Sequence, residues 1–162
     1  MSTDTLAQIA SRNDFHEAVR TALAQAAEQG AREIFLVAPD FDDWPLNERG
    51  VVEALGRWAL SSRKLVVFAH GFEELARRAP RFAEWRRQWS HVVQCRSDPD
   101  LEAQQVPTLL LVPDLLAVRL VDPVGYRGTV SGRPADQVDC RETIDALLQR
   151  SVEAFPATTL GL

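Results

Sequence analysis

Residues Gln105 to Asp122 read QVPTLLLVPDLLAVRLVD, and this stretch limits the folds open to the chain. Two apolar runs of strand length, Thr108–Val112 and Leu115–Val121, meet at Pro113-Asp114. Proline and aspartate favour turns, so the two runs are expected to pair as an antiparallel hairpin. Neither run approaches the ~20 apolar residues a membrane span needs.

The rest of the chain supplies helices and further buried strands. Residues 1–12 are small and polar and are expected to be a frayed N-terminus. Asn13-Asp14 opens a helix, with Asp14 and Glu17 spaced as a capping box. Phe15, Val19, Leu23 and Ala26 give it one apolar stripe, and Gly30 is its natural stop. Glu33 to Ala38 (EIFLVA) and Lys64 to Ala69 (KLVVFA) read as buried strands. Between them, Pro45 fits the first turn of a helix that buries Val51, Val52, Leu55, Trp58 and Ala59. Strand, helix and strand in this order imply a crossover between parallel strands. Gly71 begins a short helix interrupted at Pro80. A second piece follows, with Phe82, Trp85 and Trp89 on one side. His91 to Arg96 is a third strand, and Tyr126 to Ser131 an edge strand. A last helix is expected from about Asp136 to Phe155, burying Ile144, Leu147, Leu148, Val152 and Phe155, and ending at Pro156. The apolar tail, residues 156–162, is expected to dock. The reading is one α/β domain over residues 13–155, a three-layer α/β/α sandwich with a mixed, partly parallel sheet.

A chain of 162 residues can bury roughly 70% of its unfolded surface. Its net charge of −5 opposes bulk attraction to nucleic acid or an anionic membrane. MSTDTLAQIA lacks the basic start and long apolar centre of a secretory signal, so the cytoplasm is the expected compartment. Cys95 and Cys140 are the two cysteines. They form neither a disulfide framework nor a four-thiolate zinc site. No cofactor is expected, because Gly125 to Gly132 (GYRGTVSG) precedes no immediate helix and is not a phosphate loop.

The element order resembles one half of the phospholipase D-like fold. IFLVAPDFDDWPLNERGVVEALGRWALSSRKLVVFA is similar to that family's opening strand, helix and strand. VPTLLLVPDLLAVRLVD is similar to its catalytic hairpin. The family's signature is His-x-Lys followed by an Asp; the His attacks phosphorus and the Lys holds the phosphate. On this hairpin the His position falls at Val106, the Lys position at Thr108 and the Asp position at Pro113, with Asp114 one residue beyond. No His-x-Lys occurs anywhere in the chain. The resemblance therefore implies a scaffold without its catalytic pair. The closing run RETIDALLQRSVEAFPATTLGL is similar to uncharacterised proteobacterial domains, some of them found with N-acetyltransferase domains. That implies an accessory domain with an N-acetyltransferase as one partner. A half-fold leaves a face for a second half to cover, so a homodimer is expected.

Four groups of residues are candidates for chemistry. Asp40, Asp42 and Asp43 follow a buried strand, where ligands of open α/β sheets bind. With His70 they make a candidate metal-dependent phosphoesterase, since Mg²⁺ is held through a few carboxylates. The competing reading, which takes precedence, is that they cap the helix starting near Pro45. The segment Arg77 to Arg96 carries Arg77, Arg78, Arg81, Arg86, Arg87 and Arg96. Arginine forks suit phosphate, and Trp85 or Trp89 offers a stacking face for a nucleic-acid base. Anion or nucleic-acid binding through Arg86 and Arg87 is thus an alternative. The preferred reading is an amphipathic helix with its arginines in water. The histidines His16, His70 and His91 have no identifiable catalytic partner. Arg119 interrupts an apolar strand on the face opposite Val118 and Leu120. It is expected to pair with Asp122 or Glu142, or to line the cleft in which the family holds phosphate. The preferred function is a non-catalytic accessory or interaction domain.

Overall fold

The computed structural model describes residues 5–60 and 62–156. Its strands are β1 (Leu6–Ile9), β2 (Glu33–Val37), β3 (Lys64–Phe68), β4 (Val93–Ser97), β5 (Thr108–Val112), β6 (Leu116–Asp122), β7 (Arg127–Ser131) and β8 (Val152–Glu153). The helices are α1 (Arg12–Gln29), α2 (Arg49–Trp58), α3 (Glu73–Arg78), α4 (Pro80–Gln88) and α5 (Pro134–Gln149). The strands form one sheet in the order β1-β7-β6-β5-β2-β3-β4-β8. β2, β3 and β4 run parallel, and every other pairing is antiparallel.

The sheet is buried on both faces, which explains why its central strands read as unbroken apolar runs. Ile34 and Leu36 of β2 point into a core shared with Phe15 and Leu23 of α1, Leu55 and Trp58 of α2, Leu75 of α3 and Phe82 of α4. Phe35 and Val37 point the other way, into a smaller core closed by Cys140 and Ile144 of α5. The result is a three-layer α/β/α sandwich with a mixed sheet, as the sequence implies.

Local chemistry explains the element ends. Ser11 caps α1, its hydroxyl accepting from the Asp14 amide at 3.0 Å, while Asp14 accepts from the Ala10 amide at 3.0 Å. The expected Asp14–Glu17 box is therefore shifted by one turn. Gly30 ends the helix at φ 66°, a left-handed conformation that glycine adopts without a Cβ clash. In the β5–β6 hairpin Val112 faces Leu116, and the Leu115 amide donates to the Val112 carbonyl at 3.0 Å. The Asp114 amide at the turn donates to Gln137 of α5 at 2.6 Å.

Both ends of the chain depart from the sequence expectation. Residues 6–9 are not frayed, because they pair with β7, which is therefore no edge strand. The last helix stops at Gln149 instead of continuing to Phe155. Arg96 of β4 holds the chain there, its Nε donating to the Ser151 hydroxyl at 2.9 Å and its Nη2 to the Ser151 carbonyl at 2.8 Å. The chain then runs beside β4 as β8, with Arg96 opposite Glu153. Val152 is left exposed, and Phe155 stacks on Phe72 with ring centroids 5.4 Å apart. Of the tail expected to dock, residues 157–162 lie outside the described residues.

Two glycines give opposite tests of this packing. A Cβ on Gly128 of β7 would sit 1.9 Å from the Arg119 carbonyl oxygen, whereas one on Gly56 in α2 would meet nothing within 4 Å. Gly128→Ala is expected to lower the unfolding free energy by about 3 kcal/mol, because backbone must move. Gly56→Ala is expected to raise it by up to about 1 kcal/mol through helix propensity. Urea titrations of the two variants check both signs.

Candidate functional site

The carboxyl end of β2 continues through Ala38 into the loop that carries the three aspartates. The Ala38 amide donates to the Phe68 carbonyl at 3.1 Å, and the His70 amide donates to the Pro39 carbonyl at 2.9 Å. The loops after β2 and β3 are thus tied together through backbone. Asp40 accepts from the Asp42 amide at 2.9 Å, closing a tight turn in which Phe41 adopts φ 59°.

Charge and aromatic packing then fasten the loop. Arg12 of α1 grips Asp43 with two bonds of 2.8 Å, and Arg78 of α3 reaches Asp42 at 2.7 Å. The His16 ring donates through Nε2 to the Asp43 carbonyl at 2.6 Å; a carbonyl only accepts, so Nε2 carries the proton. Arg20 holds Glu48, ahead of α2, with bonds of 2.7 and 2.8 Å. Trp44 meets Phe15 and Phe41 edge-on, at centroid distances of 5.3 and 4.8 Å. These rings, with Tyr126, Thr108 and the aspartates, enclose a cavity of about 160 Å³.

The expected site residues do not converge. Asp40, Asp42 and Asp43 share this cavity, but His70 is exposed and is not part of its lining. Among the described residues no three His, Cys, Asp or Glu side chains are placed to hold a metal ion. Arg87 is exposed and paired with Glu84 at 2.9 Å. Arg86, expected to face solvent, is instead buried under α4. Arg119 lies on the α5 face, as alternation implies, and pairs with Asp139 at 2.8 Å rather than with Asp122 or Glu142. It sits beside Cys140, whose thiol pKa is raised by burial.

Sequence reasoning missed the aromatic lining and the inward turn of Arg86. Signals for both were available. PDFDDWP interleaves two aromatic residues with its aspartates, and Arg86 falls four residues after Phe82, on the same helical stripe.

No family model matches the chain, and no curated protein matches its sequence. Solved structures do match its fold. NucT from Helicobacter pylori aligns with a TM-score of 0.61 at 9% identity, covering 93% of this chain and 99% of that one. Nuc from Salmonella typhimurium, a phospholipase D family member, aligns with a TM-score of 0.53 at 10% identity, covering 85% and 91%. The chain has a phospholipase D-like fold. TrmBL2, an archaeal chromatin protein with a novel mode of DNA binding, shares it with a TM-score of 0.60 at 11% identity; the match covers 94% of this chain and 54% of TrmBL2.

Val106 and Thr108, the expected signature positions on the β5–β6 hairpin, lie apart. Thr108 lines the cavity near the aspartates, while Val106 is buried in the core under α5. The Pro113–Asp114 turn lies at the other end of β5, with Asp114 at φ 68°.

The Arg20–Glu48 pair gives this loop a pH dependence. The hydrogen bond from Arg20 holds the Glu48 carboxyl below its ordinary 4.5. A carboxyl whose folded pKa is lowered stabilises the fold above that ordinary value, and the contribution is lost as pH falls through the folded value. Glu48→Gln is expected to melt earlier at neutral pH and to lose less on acidification below 4.5. A pH series of thermal melts checks this; parallel curves for the two proteins would exclude the pair as the source.

Proposed function

We propose that this chain is a non-catalytic interaction domain on a phospholipase D-like scaffold, acting as an accessory to a partner protein. The observation that carries the reading is the pair of residues at the catalytic positions. Thr108 stands where a lysine would hold phosphate, and Val106, where the attacking imidazole would be, is sealed into the opposite core. A threonine hydroxyl carries no positive charge, and valine has no nucleophile.

The surroundings support the same reading. Asp40, Asp42 and Asp43 line the cavity without a cationic side chain among its walls. Arg12 pairs with Asp43 and Arg78 with Asp42, and neither arginine lines the cavity. An anionic phosphodiester meets carboxylates there, which disfavours binding. The DNA binding named for TrmBL2 is not carried over. Net charge is −5, and Arg77, Arg78 and Arg87 are each paired with a glutamate.

Purified protein is expected to show no hydrolysis of bis(p-nitrophenyl) phosphate or single-stranded DNA above a protein-free blank, with or without Mg²⁺ or Mn²⁺. Turnover that disappears in Asp40→Asn or Thr108→Val would overturn the proposal.

A further inference from the structure

Arg86 is buried without a counter-charge among the described residues. It is 6% exposed, on the same stripe of α4 as Phe82 and Trp85. Its Nη2 donates to the Phe155 carbonyl at 3.0 Å, and its guanidinium carbon lies 5.8 Å from the Phe155 ring centroid. Both partners are neutral. Its Nε and Nη1 have no acceptor among the described residues. The neighbouring Cys95 thiol supplies no charge either, since burial pushes its pKa up to about 11. Buried guanidinium groups are costly unless paired with an anion. Here the polypeptide provides none among the described residues.

Arg86 also lines a cavity of about 730 Å³, a size within the range of small-molecule sites. Arg63, Lys64 and His91 share that lining, against a single carboxylate, Glu153. His91 is held by stacking on Trp89, with ring centroids 5.6 Å apart. Lys64 and Val93 begin β3 and β4, so this cavity lies at the amino ends of the parallel strands. The aspartate cavity lies at the carboxyl end of β2. The two are therefore separate, and their electrostatics are opposite.

We propose that this cavity binds a small anion carrying phosphate or carboxylate groups, with Arg86 as its buried anchor and Lys64, Arg63 and His91 around its mouth. In the present conformation Nε and Nη1 are out of reach of solvent. The segment Glu153–Pro156 contributes to the cavity wall, fastened by the two-residue β8 pairing and by the Phe72–Phe155 stack. A shift of this short segment opens the guanidinium to the ligand. The ligand then supplies the negative charge that no described residue gives to Arg86. The inference is independent of whether the domain is catalytic.

The test is isothermal titration of the full chain with pyrophosphate, inorganic phosphate and citrate, at ionic strength held constant with sodium chloride. Saturable binding of at least one of them is expected. Preference for pyrophosphate or phosphate marks a phosphorylated ligand, and preference for citrate a carboxylate one. Arg86→Met should abolish the binding, and Lys64→Ala, at an exposed rim position, should weaken it by about 3- to 10-fold, the effect of losing one rim charge. Should Arg86→Met fail to fold, Lys64→Ala decides. Absence of saturable binding by the wild type, or unchanged affinity in Lys64→Ala, would overturn the proposal.

Discussion

Strand β2 is the constraint on which the structure depends. It pairs in parallel with β3 on one side and antiparallel with β5 on the other, so two kinds of sheet meet along it. Its side chains alternate between the large core under α1–α4 and the smaller core under α5. All of its central residues are therefore inaccessible to water. A polar residue at Phe35 would expose one core, and one at Leu36 the other. The loop leaving its carboxyl end inherits that rigidity, which is why the aspartates and their aromatic neighbours hold a defined cavity.

The fold is shared with NucT, with Nuc and with TrmBL2, at 9–11% sequence identity. A scaffold hosts many functions, and the side chains at one site decide among them. In this chain Val106 packs into the core under α5, while Thr108 lines the aspartate cavity on the other face. A rotamer change cannot bring a packed valine and a buried threonine on the other face together. Positive charge is concentrated instead at the far end of the parallel strands, around Arg86.

Much of the architecture was legible from periodicity. The stripes of α1 and α2, the buried runs of β2 and β3, and the β5–β6 hairpin each follow from local spacing that the tertiary structure preserves. Arg119 was legible as well, since period-two alternation alone places it opposite Val118 and Leu120. Its partner was not, because Asp139 lies on α5 and meets it only when that helix docks. The ends of the chain were illegible for a related reason. Leu6–Ile9 has no strand signature of its own and becomes a strand by pairing with β7. The helical spacing of Val152 and Phe155 is genuine in the sequence but is overridden by the hold of Arg96 on Ser151.

The amino-acid sequence by itself determined the class of fold, the central strands and the lack of a His-x-Lys pair, because each is a matter of local pattern or of residues present in the chain. Only the tertiary structure decided the order of strands, the packing of Val106 away from Thr108, and the burial of Arg86 without an anion among the described residues. Those outcomes are set by which surfaces pack together. A helical stripe specifies a buried face, but not the charge that will be waiting beneath it.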